Sequence, residues 1–294
     1  MILVSTNDLR KTPIMVSIVK SSRIDSRKQG PFLIIFLNDE KTLNSLEGND
    51  YLYLAHLLIE NDKDADTSFT VIQSSGRFFS SGANFSSIVK ENGKNNKDGE
   101  LPKWAAAFLS RNTYVTTAFI NHSKPLICCL NGPAVGLSAA IVMLCDIVYV
   151  MNNKVYLQFP FAKIGLVTEG AVAVTLPLKI GYARAQNVLF FNKRVTYDML
   201  ENTVSVKNYE LDDWQQFNAR VLEDLGKDVK NINMASIIGM KALIKETWKG
   251  HLLQANVSEV TDAMPFWIEG IPQSNFNKLL KKAESRKNKL KPKL

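Results

Sequence analysis

A loop rich in glycine and serine is the first part of the sequence that could contribute to chemistry. The segment 74–85, SSGRFFSSGANF, follows the apolar run Phe69–Ile72. Its small residues allow the backbone to approach a ligand closely, and such a loop can present N–H groups that no secondary structure uses. The same residue types also suit an ordinary turn. Taken alone, the segment leaves both interpretations open.

A second candidate segment joins a strand end to a helix start. Residues 130–140 read LNGPAVGLSAA, which predicts a turn at Gly132-Pro133 and then an apolar helix. The N–H of Leu137 would lie in the first helical turn, without a backbone acceptor and at the positive end of the helix dipole. Two such N–H groups converging on one oxygen would form an oxyanion hole, in which one donor contributes about 3–4 kcal/mol to transition-state stabilisation.

Glu169 is the carboxylate whose surroundings stand out. It lies in the segment 159–171, FPFAKIGLVTEGA, among apolar and small residues. An acid at the start of a helix is stabilised by the dipole, and Thr168 could cap the same helix. The alternative is a general base. The residues themselves do not decide between a capping and a catalytic carboxylate.

Other catalytic signatures are absent from the sequence. It contains no GxGxxG, GxxxxGK[ST], HExxH or GxSxG motif. The three histidines are scattered and give little support to a histidine-based triad. The three cysteines, Cys128, Cys129 and Cys145, have no CxxC spacing, which argues against a disulfide framework or a zinc site. A carboxylate is therefore the better candidate for acid–base work.

Alternating strands and helices must position these segments. The predicted strands are Phe32–Leu37, Phe69–Ile72, Leu126–Leu130, Ile147–Val150 and Val155–Leu157, and the predicted helices between them are Tyr51–Ile59, Trp104–Ile120 and Leu137–Leu144. This alternation favours an α/β fold with crossover connections. Beyond Val204 the pattern predicts helices only, at Trp214–Leu225, Ala235–Trp248 and Leu252–Trp267.

Length, hydrophobicity and charge bound the class of protein. With 294 residues, 46% of them hydrophobic, and no uninterrupted apolar run of about 18 residues, the chain is predicted to be soluble, without a membrane span. The net charge of +8 is concentrated at the C-terminus, where eight basic residues accompany one acid. No aromatic residues interleave with them, so a solvated tail is favoured over a nucleic-acid site.

Together, the three motifs SSGRFFSSGANF, CCLNGPAVGLSAAIVMLCDIVY and FPFAKIGLVTEG resemble the crotonase (enoyl-CoA hydratase/isomerase) superfamily, and within it the peroxisomal Δ3,Δ2-enoyl-CoA isomerases of fungi. The resemblance runs from about Gly30 to Pro272. It implies a spiral of ββα units followed by a helical region. We accordingly divide the chain into an extension with the first strand (1–30), a spiral core (31–205), a C-terminal helical region (206–277) and a basic tail (278–294).

The resemblance also implies roles for individual residues. The oxyanion donors would be the N–H groups of Ala83 and Leu137, and the substrate-binding residues would be Ser81, Gly82, Ala83, Asn84, Phe85 and Leu137. The family usually has Asp where this chain has Asn84. Because the donors are main-chain groups, this departure should matter little to the hole.

The reaction type depends on which acids are present. Hydratases of the superfamily use two glutamates, and the matching positions here hold Ala140 and Phe161. The isomerase branch instead places one glutamate where Glu169 stands, which favours a catalytic role for it. Asn112 matches an asparagine that lies near this glutamate in similar isomerases. From the sequence it could equally be a surface residue.

Cofactors, partners and location follow from the same resemblance. No metal or redox cofactor is expected, because coenzyme A is part of the substrate. We expect a homo-oligomer, a trimer or a dimer of trimers. The terminal Pro292-Lys293-Leu294 resembles a peroxisomal address, which implies an import receptor as partner and the peroxisomal matrix as location. The alternatives are a 3,5-dienoyl-CoA isomerase, or a non-catalytic member of the fold that binds acyl-CoA or RNA.

Overall fold

The computed structural model describes residues 18–84, 86, 88 and 99–289. Among these residues, one sheet has the strand order β1-β2-β3-β4-β6-β9. Its strands are β1 (Ile24–Gln29), β2 (Phe32–Leu37), β3 (Phe69–Ser74), β4 (Leu126–Leu130), β6 (Ile147–Val150) and β9 (Ser205–Asn208). The pair β1-β2 is antiparallel, and all the other neighbours are parallel. This mixed sheet, whose strands are connected by helices, confirms the predicted α/β fold class.

Strand β2 shows why the sheet is buried on both of its faces. Its side chains alternate, as the pleat requires. Leu33 and Ile35 point into a large core that includes residues of helix α1 (Gly48–Lys63), whereas Phe32 and Ile34 pack with Phe217 of a C-terminal helix. A parallel strand covered on both faces needs a continuous apolar run, which is what Phe32–Leu37 supplies.

A small second sheet lies beside the candidate site. It pairs β5 (Ala134–Val135) with β7 (Tyr156–Gln158) in parallel, and β7 with β8 (Arg194–Thr196) antiparallel. The strand predicted at Val155–Leu157 is therefore present, shifted by one residue. Strand β5 lies within the turn between β4 and the next helix, so the sheet holds this turn in place.

The crossover helices connect these strands. They are α1 (Gly48–Lys63), α2 (Glu100–Trp104), α3 (Arg111–Asn121), α4 (Leu137–Leu144), α5 (Phe161–Ile164), α6 (Val172–Ile180), α7 (Tyr182–Phe190) and α8 (Tyr197–Leu200). A π-helical stretch, Ala105–Ser110, joins α2 to α3. Such widened turns are rare and occur frequently at functional sites.

The prediction of helices only beyond Val204 is wrong, because β9 (Ser205–Asn208) pairs in parallel with β6. Its four residues, SVKN, include one apolar side chain, so the pattern does not indicate a strand. Beyond β9 the chain consists of long helices, as predicted. These are α9 (Trp214–Asp228), α10 (Met234–Ile268) and α11 (Ile271–Lys289). The prediction of separate helices at Ala235–Trp248 and Leu252–Trp267 is wrong, because α10 runs through without a break. Gly250 lies inside it at the modest cost of about 1 kcal/mol that a helix tolerates for glycine.

Helix α11 also continues across position 278, through part of the basic segment. The proposed four-part division of the chain stays a prediction. No helix in the described part of the chain is both long and apolar enough to cross a membrane. Phe85 and the C-terminal tripeptide lie outside the described residues.

Candidate active site

The three sequence motifs meet at one pocket. Of the predicted site residues, Ser81, Gly82, Ala83, Leu137 and Glu169 line it. Asn84 is adjacent in sequence but does not contribute to the lining. The pocket therefore contains the loop after β3, the start of α4 and the loop before α6. Ala83 and Leu137 are 54 residues apart in the sequence, and the parallel order of β3 and β4 brings the loops that carry them to the same edge of the sheet.

Backbone hydrogen bonds hold the first two loops against each other. The Phe79 N–H donates to Pro133 O at 3.0 Å, and the Val135 N–H donates to Ser80 O at 3.0 Å. The approach is closest at Gly82, where a Cβ atom would lie 2.6 Å from Val135 O and where φ is +86°. Glycine is thus required at this position for both space and conformation. The close contact places Ala83 beside the start of α4.

The N–H groups of Ala83 and Leu137 have no acceptor among the described residues. Ala83 forms a parallel bridge with Leu46, in which the flanking Gly82 O and Asn84 N bond to Leu46 at 2.9 Å each. The Ala83 N–H therefore points away from Leu46. Leu137 is the first residue of α4, and its N–H is one of the donors that a helix leaves unsatisfied.

Asn84 stabilises the loop from outside the pocket. Its Nδ2 donates to Glu47 Oε1 at 3.2 Å, and Arg23 Nη2 donates to the same oxygen at 2.9 Å. The amide suits this position because its partner is a carboxylate. An aspartate, the residue that the family resemblance predicts here, would face Glu47 with a second negative charge. The amide at position 84 is therefore compatible with the negative charge of Glu47.

Glu169 is held by an amide from helix α3. Asn112 Nδ2 donates to Glu169 Oε2 at 2.6 Å. Asn112 is only 1% exposed, so the alternative of a surface residue is wrong. Arg111 Nε and Nη2 each donate to Asn112 Oδ1 at 3.1 Å. Because the oxygen faces the guanidinium, the amide nitrogen is oriented toward the carboxylate.

The environment of Glu169 brings the pKa of its carboxyl group close to neutrality. Burial raises this pKa to about 7, because the charged form loses hydration. The positive charge of Arg111 and the hydrogen bond from Asn112 act in the opposite direction, whereas the negative charge of Glu259 raises the pKa further. A group that titrates near pH 7 can both accept and return a proton.

The carboxylate that caps helix α6 is Glu259, not Glu169. Ala171 N donates to Glu259 Oε2 at 2.7 Å, and Ala173 N donates to Glu259 Oε1 at 2.8 Å. This finding rejects the capping interpretation of Glu169. Glu259 belongs to none of the three motifs, so its role does not follow from them. The available signal was weak: an acid at the helical spacing of the buried Asn256, Val260 and Ala263.

No second carboxylate lines the described part of the pocket. Ala140 packs so closely on the loop before α6 that a Cβ on Gly170 would lie 2.5 Å from Ala140 Cβ. Phe161 is buried and contributes an apolar wall. Both positions at which hydratases carry glutamates are therefore occupied by apolar side chains.

Aromatic side chains from the helical regions close the pocket. Phe108 of the π-helical stretch and Phe276 of α11 pack on Trp267 of α10, with ring centroids 5.0 and 6.2 Å from the indole. All three line the pocket. An apolar wall of this kind excludes water and strengthens the electrostatic interactions inside. In the part of the chain that the structure describes, no group of three or more His, Cys, Asp and Glu side chains could hold a metal ion.

Comparison with known proteins agrees with this geometry. The sequence model for enoyl-CoA hydratase/isomerase matches residues 27–203. The chain is 49% identical to the 3,2-trans-enoyl-CoA isomerase of Saccharomyces cerevisiae, over 92% of this chain and 98% of that protein. It is 42% identical to the Delta(3,5)-Delta(2,4)-dienoyl-CoA isomerase of the same yeast, over 88% and 96%.

Solved structures show the same fold. An enoyl-CoA hydratase/isomerase from Mycobacterium paratuberculosis superimposes with a TM-score of 0.76 at 23% identity, over 88% of this chain and 98% of that one. The chain belongs to the enoyl-CoA hydratase/isomerase family, the crotonase superfamily that its three motifs resemble. The recognition made from those motifs is confirmed.

Proposed function

We propose that this protein is a Δ3,Δ2-enoyl-CoA isomerase that moves the double bond of a 3-enoyl-CoA to the 2-position, in the oxidation of unsaturated fatty acids. The observation that carries the proposal is the carboxylate of Glu169 in an apolar pocket, where the described residues supply no second carboxylate and no acceptor for the N–H groups of Ala83 and Leu137. The 49% identity to a yeast 3,2-trans-enoyl-CoA isomerase supports the same activity.

The proposed mechanism uses one base and one oxyanion hole. The thioester oxygen accepts hydrogen bonds from the N–H groups of Ala83 and Leu137. Glu169 removes a proton from C2. The electron pair of the C2–H bond forms a double bond between C1 and C2, and the carbonyl π electrons move onto the thioester oxygen, which gives a dienolate conjugated with the C3–C4 double bond. Glu169 then returns the proton to C4, which leaves the double bond between C2 and C3. This proton transfer needs no metal or redox cofactor, and coenzyme A is part of the substrate.

The same pocket is poorly suited to hydration. Addition of water by the two-carboxylate mechanism needs one group to activate the water and another to protonate carbon. Ala140 and Phe161 supply neither. The proposed reaction, in contrast, needs a single group that alternates between its two protonation states. The pKa of Glu169, about 7, supports this role.

Replacement of the proposed base tests the assignment directly. Glu169→Gln keeps the size of the side chain and one oxygen that can accept the hydrogen bond from Asn112, but it cannot accept the C2 proton. Conversion of a 3-enoyl-CoA to the 2-enoyl-CoA should fall by about 10²–10⁴-fold, the contribution of a positioned general base. The matched control is Glu246→Gln, an exposed position on α10, which should retain full activity. Full turnover by a folded Glu169→Gln variant would contradict the proposal.

A dienoyl-CoA isomerase is the second candidate, because a yeast enzyme with that name is 42% identical over most of both chains. That reaction moves protons over a longer conjugated system. An absorbance assay with a 3,5-dienoyl-CoA, run beside the 3-enoyl-CoA assay, distinguishes the two. A higher kcat/KM on the dienoyl substrate would reverse the order of the candidates.

We also propose that the protein forms a homo-oligomer through its helical region. Helix α10 exposes Met240, Leu243 and Ile244, with 54%, 76% and 71% of their surfaces accessible. Contiguous exposed apolar side chains of this size are typical of protein interfaces. Light scattering of the purified protein should give the mass of a trimer or hexamer, and Leu243→Glu/Ile244→Glu should reduce it.

The proposed location is the peroxisomal matrix. The sequence Pro292-Lys293-Leu294 differs from Ser-Lys-Leu only at its first residue, and such a tripeptide would be read by an import receptor. A fluorescent protein fused in front of the chain should enter peroxisomes, whereas the same fusion without these three residues should stay outside. Import of the truncated fusion would contradict the proposal.

A further inference from the structure

The carboxylate of Glu259 belongs to a helix that is remote in sequence from Glu169. It lies on α10, is 5% exposed, and accepts hydrogen bonds from the backbone at the start of α6. Both of its oxygens are used there, one for the Ala171 N–H and one for the Ala173 N–H. A single side chain thereby fixes two backbone groups within four residues of the proposed base.

The loop between Glu169 and α6 needs such support. Gly170 has φ +75° and Ala171 has φ +60°. Positive φ is uncommon for a residue other than glycine, so the conformation at Ala171 must be maintained by its surroundings. Gly170 also packs directly on Ala140, which leaves no space for the loop to move toward α4. The hydrogen bonds to Glu259 hold the loop from the other side.

Only a carboxylate meets this requirement in full. Two N–H donors point at one side chain, and an ionised glutamate offers an acceptor to each of them. The amide of a glutamine has one oxygen, so its NH₂ group would face one of the N–H groups, donor against donor. The geometry therefore depends on the charged form of residue 259 and not merely on its shape.

We propose that Glu259 is a positioning residue for the proton transfer: by holding the N–H groups of Ala171 and Ala173, it fixes the turn that aims Glu169 at the substrate. This inference rests on the proposed role of Glu169 as the base. Glu259 does not line the pocket, so it acts through the loop and not by contact with the substrate.

Glu259 also contributes to the charge balance around Glu169. Among the described residues, the charged and titratable groups that interact with Glu169 are Arg111 from α3, Tyr51 from α1 and Glu259 from α10. Tyr51 stays neutral, because burial raises the pKa of its hydroxyl group. Arg111 lowers the pKa of Glu169, and the negative charge of Glu259 raises it. Removal of that charge should therefore lower the pKa of Glu169.

The experiment compares Glu259→Gln, Glu259→Asp and a control in the full-length protein. The control is Asp262→Asn, which removes one negative charge from an exposed position on the same helix. Isomerase assays with a 3-enoyl-CoA across pH 5–9 give kcat, KM and the pH at which kcat/KM rises. Burial raises the pKa of Glu259 itself to about 6, so kcat is compared at the alkaline plateau, where Glu259 is charged. Thermal unfolding of each variant is measured in parallel.

For Glu259→Gln we expect kcat to fall by about 10–100-fold, because a small misplacement of a catalytic group has effects of this size. KM should change by less than about threefold, and the rise in kcat/KM should move to lower pH. Glu259→Asp keeps the charge but shortens the side chain. It should lower kcat, while the rise in kcat/KM stays near its original pH. If the glutamine variant fails to fold, the aspartate variant still tests the inference. The control should match the unaltered protein in kcat and pH profile.

Two results would overturn the inference. One is an unchanged kcat and pH profile in a folded Glu259→Gln variant. The other is a loss of activity in both variants that is fully explained by a smaller fraction of folded protein, so that kcat per folded molecule is unchanged. Failure of the proposed function looks different, since it requires Glu169→Gln to remain active. A Glu169→Gln variant without activity, combined with fully active Glu259 variants, would remove the inference and leave the function standing.

Discussion

On one side of the pocket the groups available to a substrate are backbone N–H groups, at Ala83 and Leu137, whereas on the other side they are side chains, Glu169 and its partner Asn112. The first pair depends on how two loops pack and is insensitive to the chemistry of the side chains at those positions. The second depends on side-chain identity and on charge. The two sides should therefore respond to mutation in opposite ways.

Gly82→Val should have the largest effect on the backbone side. The new Cβ would lie 2.6 Å from Val135 O at a φ of +86°, so the loop that carries Ala83 must move. Loss of one oxyanion donor costs roughly 10²–10³-fold in kcat. Steady-state kinetics with a 3-enoyl-CoA check this expectation. The control is Gly226→Ala, where nothing lies within 4 Å of a new Cβ; a Gly82→Val variant as active as this control would show that loop packing does not limit catalysis.

Asn112→Leu should have an intermediate effect on the side-chain side. It removes the 2.6 Å hydrogen bond to Glu169 while filling a similar volume. A hydrogen bond to a charged group contributes about 1.5–3 kcal/mol, so kcat should fall by about 10–100-fold. The bond lowers the pKa of Glu169, and its loss should therefore raise that pKa and move the rise in kcat/KM to higher pH.

This shift has the opposite sign to that expected for Glu259→Gln. Comparing the two variants therefore tests the proposed effects of both groups on the pKa of Glu169. An exposed residue on the same helix, Asn121, provides the control as Asn121→Leu. If the pH profiles of both site variants moved in the same direction, the account of the charges around Glu169 would be incorrect.

How much the sequence predicts also differs between these regions. Strands β2 and β4 are continuous apolar runs because both of their faces are buried, so composition alone indicates them. The two site loops were identified through motif resemblance, since glycine-rich turns are not specific by themselves. The division of α10 at Gly250 was wrong because packing over 35 residues outweighs one weak helix former.

Local sequence patterns do not predict the contacts that the carboxylates make. Glu259 and Ala171 are 88 residues apart in the sequence. Glu259 can accept from the N–H groups at the start of α6 only when α10 is packed on α6. Similarly, sequence left Asn112 undecided between a surface and a buried position. Side-chain partners of this kind are decided by tertiary structure, whereas backbone donors follow from loop and helix ends.

Leu137→Ala tests whether the backbone side is indifferent to its side chains. The N–H donor is unchanged, so kcat should fall by less than about threefold. Stability should respond much more, because Leu137 is buried and such a truncation costs about 2–5 kcal/mol. Thermal unfolding and kinetics measured on the same preparation separate the two effects. A large loss of kcat at a temperature where the variant is fully folded would contradict the main-chain role of this position.

Asn84→Asp should have the smallest effect. It changes a side-chain contact that stabilises the loop carrying the Ala83 N–H donor. The substitution restores the usual residue of the family but places a carboxylate against Glu47, with Arg23 as the cation between them. An exposed or partly exposed charge pair contributes about 0–1 kcal/mol, so we expect a decrease in stability within this range and a change in kcat below about threefold. The double variant Asn84→Asp/Glu47→Gln restores a donor opposite the carboxylate and should recover the lost stability. If the double variant were instead less stable than the sum of the two single changes, the amide at position 84 would have a role beyond its contact with Glu47.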